Sequence, residues 1–158
     1  MDGHTLQTRA LDLGLNHAVR LMAERYAPRW VAAEEAPNDF ETLKEWHKRD
    51  GYITVWSGAS EDTIFGEPFF NHAFRAWHDA VHLSHNLPFT LEGEKAAAEV
   101  QVAQLRANFM PGTVLDRWCE IIRCEVGGQA EHFATTGEFP ADQIAFAKAY
   151  LGERGIAL

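Results

Sequence analysis

The chain has 158 residues, of which 46% are apolar and 23% charged, enough to bury a real core and ordinary for a globular protein. Its formal net charge is −9 and no Lys/Arg cluster interrupts it, which argues against nucleic acid and anionic membrane as partners. There is no basic-then-apolar leader and no apolar run of membrane length, so the expectation is one cytoplasmic domain over 1–158.

In chain order, Thr5 to Tyr26 reads as the first helix. Its stripe is Leu11, Leu15, Ala18, Met22 and Tyr26, and Pro28 ends it. His17 lies off this stripe and reads as solvated or partner-facing. Trp30 to Pro37 reads as a connection. Asn38-Asp39 then caps a short helix from Phe40 to about Lys48. Asp50-Gly51 is a turn signal, and Tyr52 to Trp56 is the one convincing strand. Thr63 to Phe65 is expected to pair back on it as a small hairpin.

Pro68 opens a central helix running to about Asn86. Thr90 is placed to cap the next helix, which runs to about Phe109. Thr113 is expected to cap another, to about Thr135, closed by Gly137 and Pro140. Ala141 to Leu151 is a last short helix. The predicted fold class is an all-α helical bundle with a small β-hairpin insert.

The richest stretch is Asn71 to His85, which holds four of the eight histidines. His78 and His82 are four apart and stack on one helical face, the spacing by which a helix offers two imidazoles to one metal ion. They flank a core side marked by Phe70, Phe74, Trp77 and Val81, together with Asn71 and His85. Asp79 faces away and reads as a surface ion pair with Arg75.

On the Thr113–Thr135 helix, the apolar side is marked by Leu115, Trp118, Ile122, Val126 and Phe133. At roughly 100° per residue, Glu125, Gln129 and His132 fall within about 60° of each other on that side. Buried polar groups of this kind are costly unless paired or bound to metal. On the preceding helix, Glu94 and Gln101 lie at the edge of the apolar face. Glu94 can reach an interior site or merely answer the helix dipole. Cys119 and Cys124, five apart, suit neither a disulfide nor a Cys-x-x-Cys motif and read as core thiols. Gly127-Gly128 inside a helix calls for close approach of another helix or of a ligand.

Collected, the expected metal ligands are His78, His82, Glu125 and His132, with Glu94 as catalytic general base. Asn71, Gln101 and Gln129 are available to hydrogen-bond the ligands. Imidazoles with one or two carboxylates suit one or two divalent transition metal ions (Zn, Fe or Mn) and not Ca²⁺ or Mg²⁺. An open position would hold a water for the base to activate. The expectation is thus a metal-dependent hydrolase acting on a small-molecule substrate. A non-haem iron or manganese oxidoreductase of ferritin-like architecture and a non-catalytic metal-binding bundle stand as alternatives. Homo-oligomerisation is left open.

Three family patterns can be set against these residues. The ferritin-like di-iron proteins use Glu-x-x-His on two helices, whereas here Glu125 and His132 are seven apart and His78-x-x-x-His82 stands in place of the other motif. His78-Asp79 followed by Leu87-Pro88 resembles the metal-binding doublet and following loop of the His-Asp phosphohydrolases. The run Asp116 to Glu125 loosely resembles the helix carrying their last aspartate, although Asp116 falls on the outward face. Three histidines, two of them as His-x-x-x-His, are similar to the ligand set of the DinB-like bundles, with the order of pair and single histidine reversed. None of these patterns covers enough of the chain to assign a family.

Overall fold

A computed structural model describes residues 10–158. The chain divides into two units, Met1–Phe89 and Thr90–Leu158. In the first, Asp12 starts helix α1 (Leu13–Tyr26) by accepting the Leu15 N–H on its side chain at 3.1 Å. This cap places the helix start at Leu13 rather than Thr5, and Thr5 to Arg9 lie outside the described residues. Leu15, Ala18, Val19, Met22 and Ala23 form the buried stripe.

Strand β1 (Trp30–Ala33) follows, then helix α2 (Phe40–Asp50) and strand β2 (Ile53–Trp56). Asp39 caps α2, accepting from the Thr42 N–H at 2.8 Å and from the Thr42 hydroxyl at 3.0 Å. Gly51, at φ +76°, ends it in the left-handed conformation glycine tolerates.

The two strands pair in parallel, with Trp30 opposite Ile53 and Ala33 opposite Trp56. The expected hairpin is therefore wrong. The partner of the predicted strand precedes it, within the stretch read as a connection, and Thr63 to Phe65 is a turn. Parallel pairing forces the chain to return to its starting end between the strands, and α2 makes that return.

Helix α3 (Pro68–His85) is the axis of this unit and packs against α1, α2 and β2. Asn71, Ala73, Phe74, Ala76, Trp77, Ala80, Val81 and His82 are all buried, so almost every side of it meets protein. A core of Ala27, Ile53, Val55, Ala76 and Ala80 joins it to the strands, with Trp30 and Leu83 against its edge. Trp77 is fully buried, a burial worth about 3 kcal/mol on the usual scale for a large apolar side chain.

The second unit consists of α4 (Leu91–Asn108), α5 (Thr113–Arg123), a π-turn (Cys124–Gly128), α6 (Gln129–Thr136) and α7 (Gln143–Glu153). The Thr90 hydroxyl caps α4, accepting the Gly93 N–H at 3.1 Å. Arg123 ties α5 to α4 by two bonds to Glu99, at 2.9 and 3.0 Å. The predicted long helix is continuous in path but changes winding at Cys124, where the Gln129 N–H reaches back five residues to the Cys124 carbonyl. Beyond that point the 100° arithmetic no longer applies. Phe133, expected on the core side, is 45% exposed and stacks on Phe139. A Cβ on Gly128 would lie 3.1 Å from the Tyr150 ring of α7, so glycine here serves close helix approach. No described helix is long and apolar enough to cross a membrane.

Candidate metal centre

The sequence-predicted pair is assembled by α3. His78 and His82 approach Nε2 to Nε2 at 3.0 Å, one turn apart on the same face. His82 is fully buried and His78 partly so. The other nitrogen of His82, Nδ1, lies 2.7 Å from the Leu87 carbonyl oxygen. A carbonyl can only accept, so Nδ1 carries the hydrogen and the neutral ring has its lone pair on Nε2, toward His78.

The end of α3 fixes that carbonyl. Asn86 takes the left-handed conformation, φ 52° and ψ 50°, and its N–H donates to the His82 carbonyl. The Leu87 N–H donates to the same oxygen at 3.0 Å. His82 and Leu87 are thus joined twice, once through the backbone and once through the imidazole. Pro88 cannot continue the helix. Asparagine is among the few non-glycine residues that occupy this conformation at low cost.

Aromatic rings wall the pair. Phe74, one turn before His78, stacks on it at 9° between planes with ring centroids 6.0 Å apart. Phe89 meets His82 edge-on at 4.7 Å, and Phe40 lies 6.3 Å from it. Such walls keep water from the imidazoles and hold their rotamers. The Phe74-His78-His82 stripe was legible as a run of four-residue steps. The Leu87 carbonyl was not, because a main-chain acceptor leaves no residue type to read.

Two nitrogens this close cannot both bear hydrogens toward each other. Either one donates to the other, or both lone pairs face a cation. Nitrogens about 2.0–2.1 Å from one ion, at angles from square to tetrahedral, lie about 2.8–3.4 Å apart. The observed 3.0 Å falls in that range.

Three other histidines are placed elsewhere. His72 Nε2 lies 3.2 Å from the Ser57 carbonyl, His85 contacts the Ser84 hydroxyl at 3.1 Å, and His17 is exposed with its ring against Phe70. Asp79 is partly buried rather than on the surface. Arg75, its expected partner, also donates to the carbonyls of Trp56, Gly58 and Ala59. Asp79 still acts on Arg75 through its charge, raising the guanidinium pKa against a larger lowering by burial.

In the second unit, Glu94 sits partly buried in the first turn of α4, where its N–H donates to the Thr90 carbonyl at 2.8 Å. Glu125 lies within the π-turn. Burial pushes its carboxyl up to about 8, against a smaller lowering by the Gln129 amide, which donates to Oε1 at 2.9 Å. His132 is partly buried on α6, edge-on to Phe146 at 5.3 Å. The seven-residue spacing of Glu125 and His132 spans the altered winding, so it does not carry the face relation an α-helix would give. Gln129 is buried beside Glu125, as expected of a supporting amide. Asp116 is exposed and paired with Arg106 at 3.1 Å, as the outward-face reading requires. The two cysteines are buried free thiols. Burial raises both pKa values, that of Cys124 to about 12.

Comparison with protein-family models, with curated proteins and with solved structures gives no match.

Proposed function

We propose that the chain is a metal-dependent hydrolase in which His78 and His82 hold a divalent transition metal ion through their Nε2 atoms. The observation that carries the reading is the anchoring of His82. Its Nδ1–H on the Leu87 carbonyl leaves Nε2 as the donor atom, 3.0 Å from the matching atom of His78. Metal-ligating histidines are oriented in this way, by a hydrogen bond from the nitrogen that does not touch the ion.

Two imidazoles suit zinc, iron or manganese and leave positions for water. The ion would supply a water acidified toward neutral pH, the nucleophile of a hydrolytic reaction. The protein's part is to hold the imidazoles in one tautomer and to exclude bulk water with Phe40, Phe74 and Phe89.

Elemental analysis of the protein after incubation with zinc, manganese or iron(II), followed by gel filtration, tests this. About one ion per chain is expected, with His78→Ala losing it while its far-ultraviolet dichroism stays native. The loaded protein should cleave activated esters or phosphate esters faster than the metal-stripped protein. Absence of any stoichiometric ion would overturn the metal reading. A bound ion without turnover would reduce it to a metal-binding bundle.

A further inference from the structure

A second cavity lies in the first unit, on the other side of α3. It holds about 430 Å³ and opens between the ends of α1 and α2, β2 and the last turns of α3. Ala80 lines it, and at roughly 100° per residue Ala80 points about 160° away from both His78 and His82. The cavity is therefore not the metal centre.

Its floor is apolar, made by Ala27, Ile53, Ala80 and Leu83. Its rim carries Arg29, Lys44 and His47, and no Asp or Glu lines it. In a chain with 23 acidic and 14 basic side chains, a lining with three basic residues and no acid is unexpected. Lys44 is already committed, 2.6 Å from the Glu41 carboxylate and over the Phe40 ring. Arg29 is not. Arg20, Arg49, Arg106, Arg123 and Arg154 have carboxylates, Arg75 has carbonyls, and Arg25 lies over Tyr26. The Arg29 backbone is held by its carbonyl, which accepts the Ile53 N–H at 3.0 Å, so the side chain starts from a fixed point at the mouth.

We propose that this cavity binds a small monocarboxylate with an apolar body, the carboxylate on Arg29 and His47 and the body on the Ala27–Ile53–Ala80–Leu83 floor. The volume lies within the range of small-molecule sites, roughly 300–1,000 Å³. Arg29 is the rim's uncommitted guanidinium, whose planar fork matches a carboxylate and whose single charge is too little for a polyphosphate. The proposal does not depend on the metal reading.

Titration of the full chain with octanoate, octylamine and inorganic phosphate, followed by protein NMR or calorimetry, tests the proposal. Saturable binding of octanoate alone is expected, weakened about tenfold in Arg29→Ala, which changes an exposed side chain. Ala80→Leu, filling the floor, should abolish it, and His78→Ala should leave it unchanged. No octanoate binding, equal binding of octylamine, or an unaltered affinity in Arg29→Ala would each overturn the proposal. Loss of metal by His78→Ala with octanoate binding intact separates this site from the metal centre.

Discussion

His82 is a fully buried polar side chain whose Nδ1 is held by one main-chain oxygen. Asn86 sets that oxygen by accepting a left-handed conformation, φ 52°. Glycine can replace it with little strain, whereas a β-branched residue cannot. Asn86→Val should cost about 1–3 kcal/mol in urea unfolding, the range for strain at such positions. It should also weaken metal binding, since the Leu87 carbonyl would leave the imidazole. Asn86→Gly should retain both within about 0.5 kcal/mol. Equal behaviour of the two variants would show that the cap does not position His82. The histidine pair itself was legible because four-residue spacing needs only local helicity. Its anchor was not, because a carbonyl belongs to every residue.

At the scale of the element, the π-turn is the feature that face arithmetic could not anticipate. A window of apolar residues from Leu115 to Val126 fits an α-helix, and nothing in residue type announces a five-residue turn at Cys124. The residues before it fell where expected, with Leu115 and Ile122 buried and Asp116 exposed. After it the placement is mixed: Gln129 is buried and Glu131 exposed as expected, but Phe133 is exposed. The strand Trp30–Ala33 escaped notice for another reason. It is four residues long, half alanine, and is followed by Glu34-Glu35, so only Trp30 and Val31 favour a strand and no alternation extends it.

The π-turn also holds Glu125, whose carboxyl is pushed from an ordinary 4.5 to about 8 by burial. In the metal-free protein the folded state therefore keeps this proton over a pH window in which the unfolded chain has released it. Stability should fall as pH rises from about 4.5 to about 8, by at most about 1.4 kcal/mol per unit from this group. Below that window the group costs nothing, and above it the cost is constant. Glu125→Gln should flatten the decline of melting temperature between pH 5 and 8. An unchanged slope would mean that the carboxyl is solvated in the fold.

For the whole molecule, a ligand that binds only the folded chain raises its melting temperature by mass action. At a hundredfold excess over its dissociation constant, a transition metal should add about 2.7 kcal/mol, or about 5–10 °C for a chain of this size. Calcium and magnesium should leave the temperature unchanged, because both prefer shells made of oxygen alone. A shift with magnesium as large as that with zinc would point to an acidic surface site instead of the imidazoles.

The parallel strand pair has a consequence for how this chain can change in length. A hairpin could lose its connecting residues down to a two-residue turn and keep its register. Here residues 34–52 must carry the chain back along the sheet before Ile53 can meet Trp30. Deletions in this stretch should therefore be tolerated poorly, while insertions at its exposed Glu34-Glu35 corner should be accepted. Among descendants of this sequence, α2 should vary in composition and grow at its ends but should not disappear.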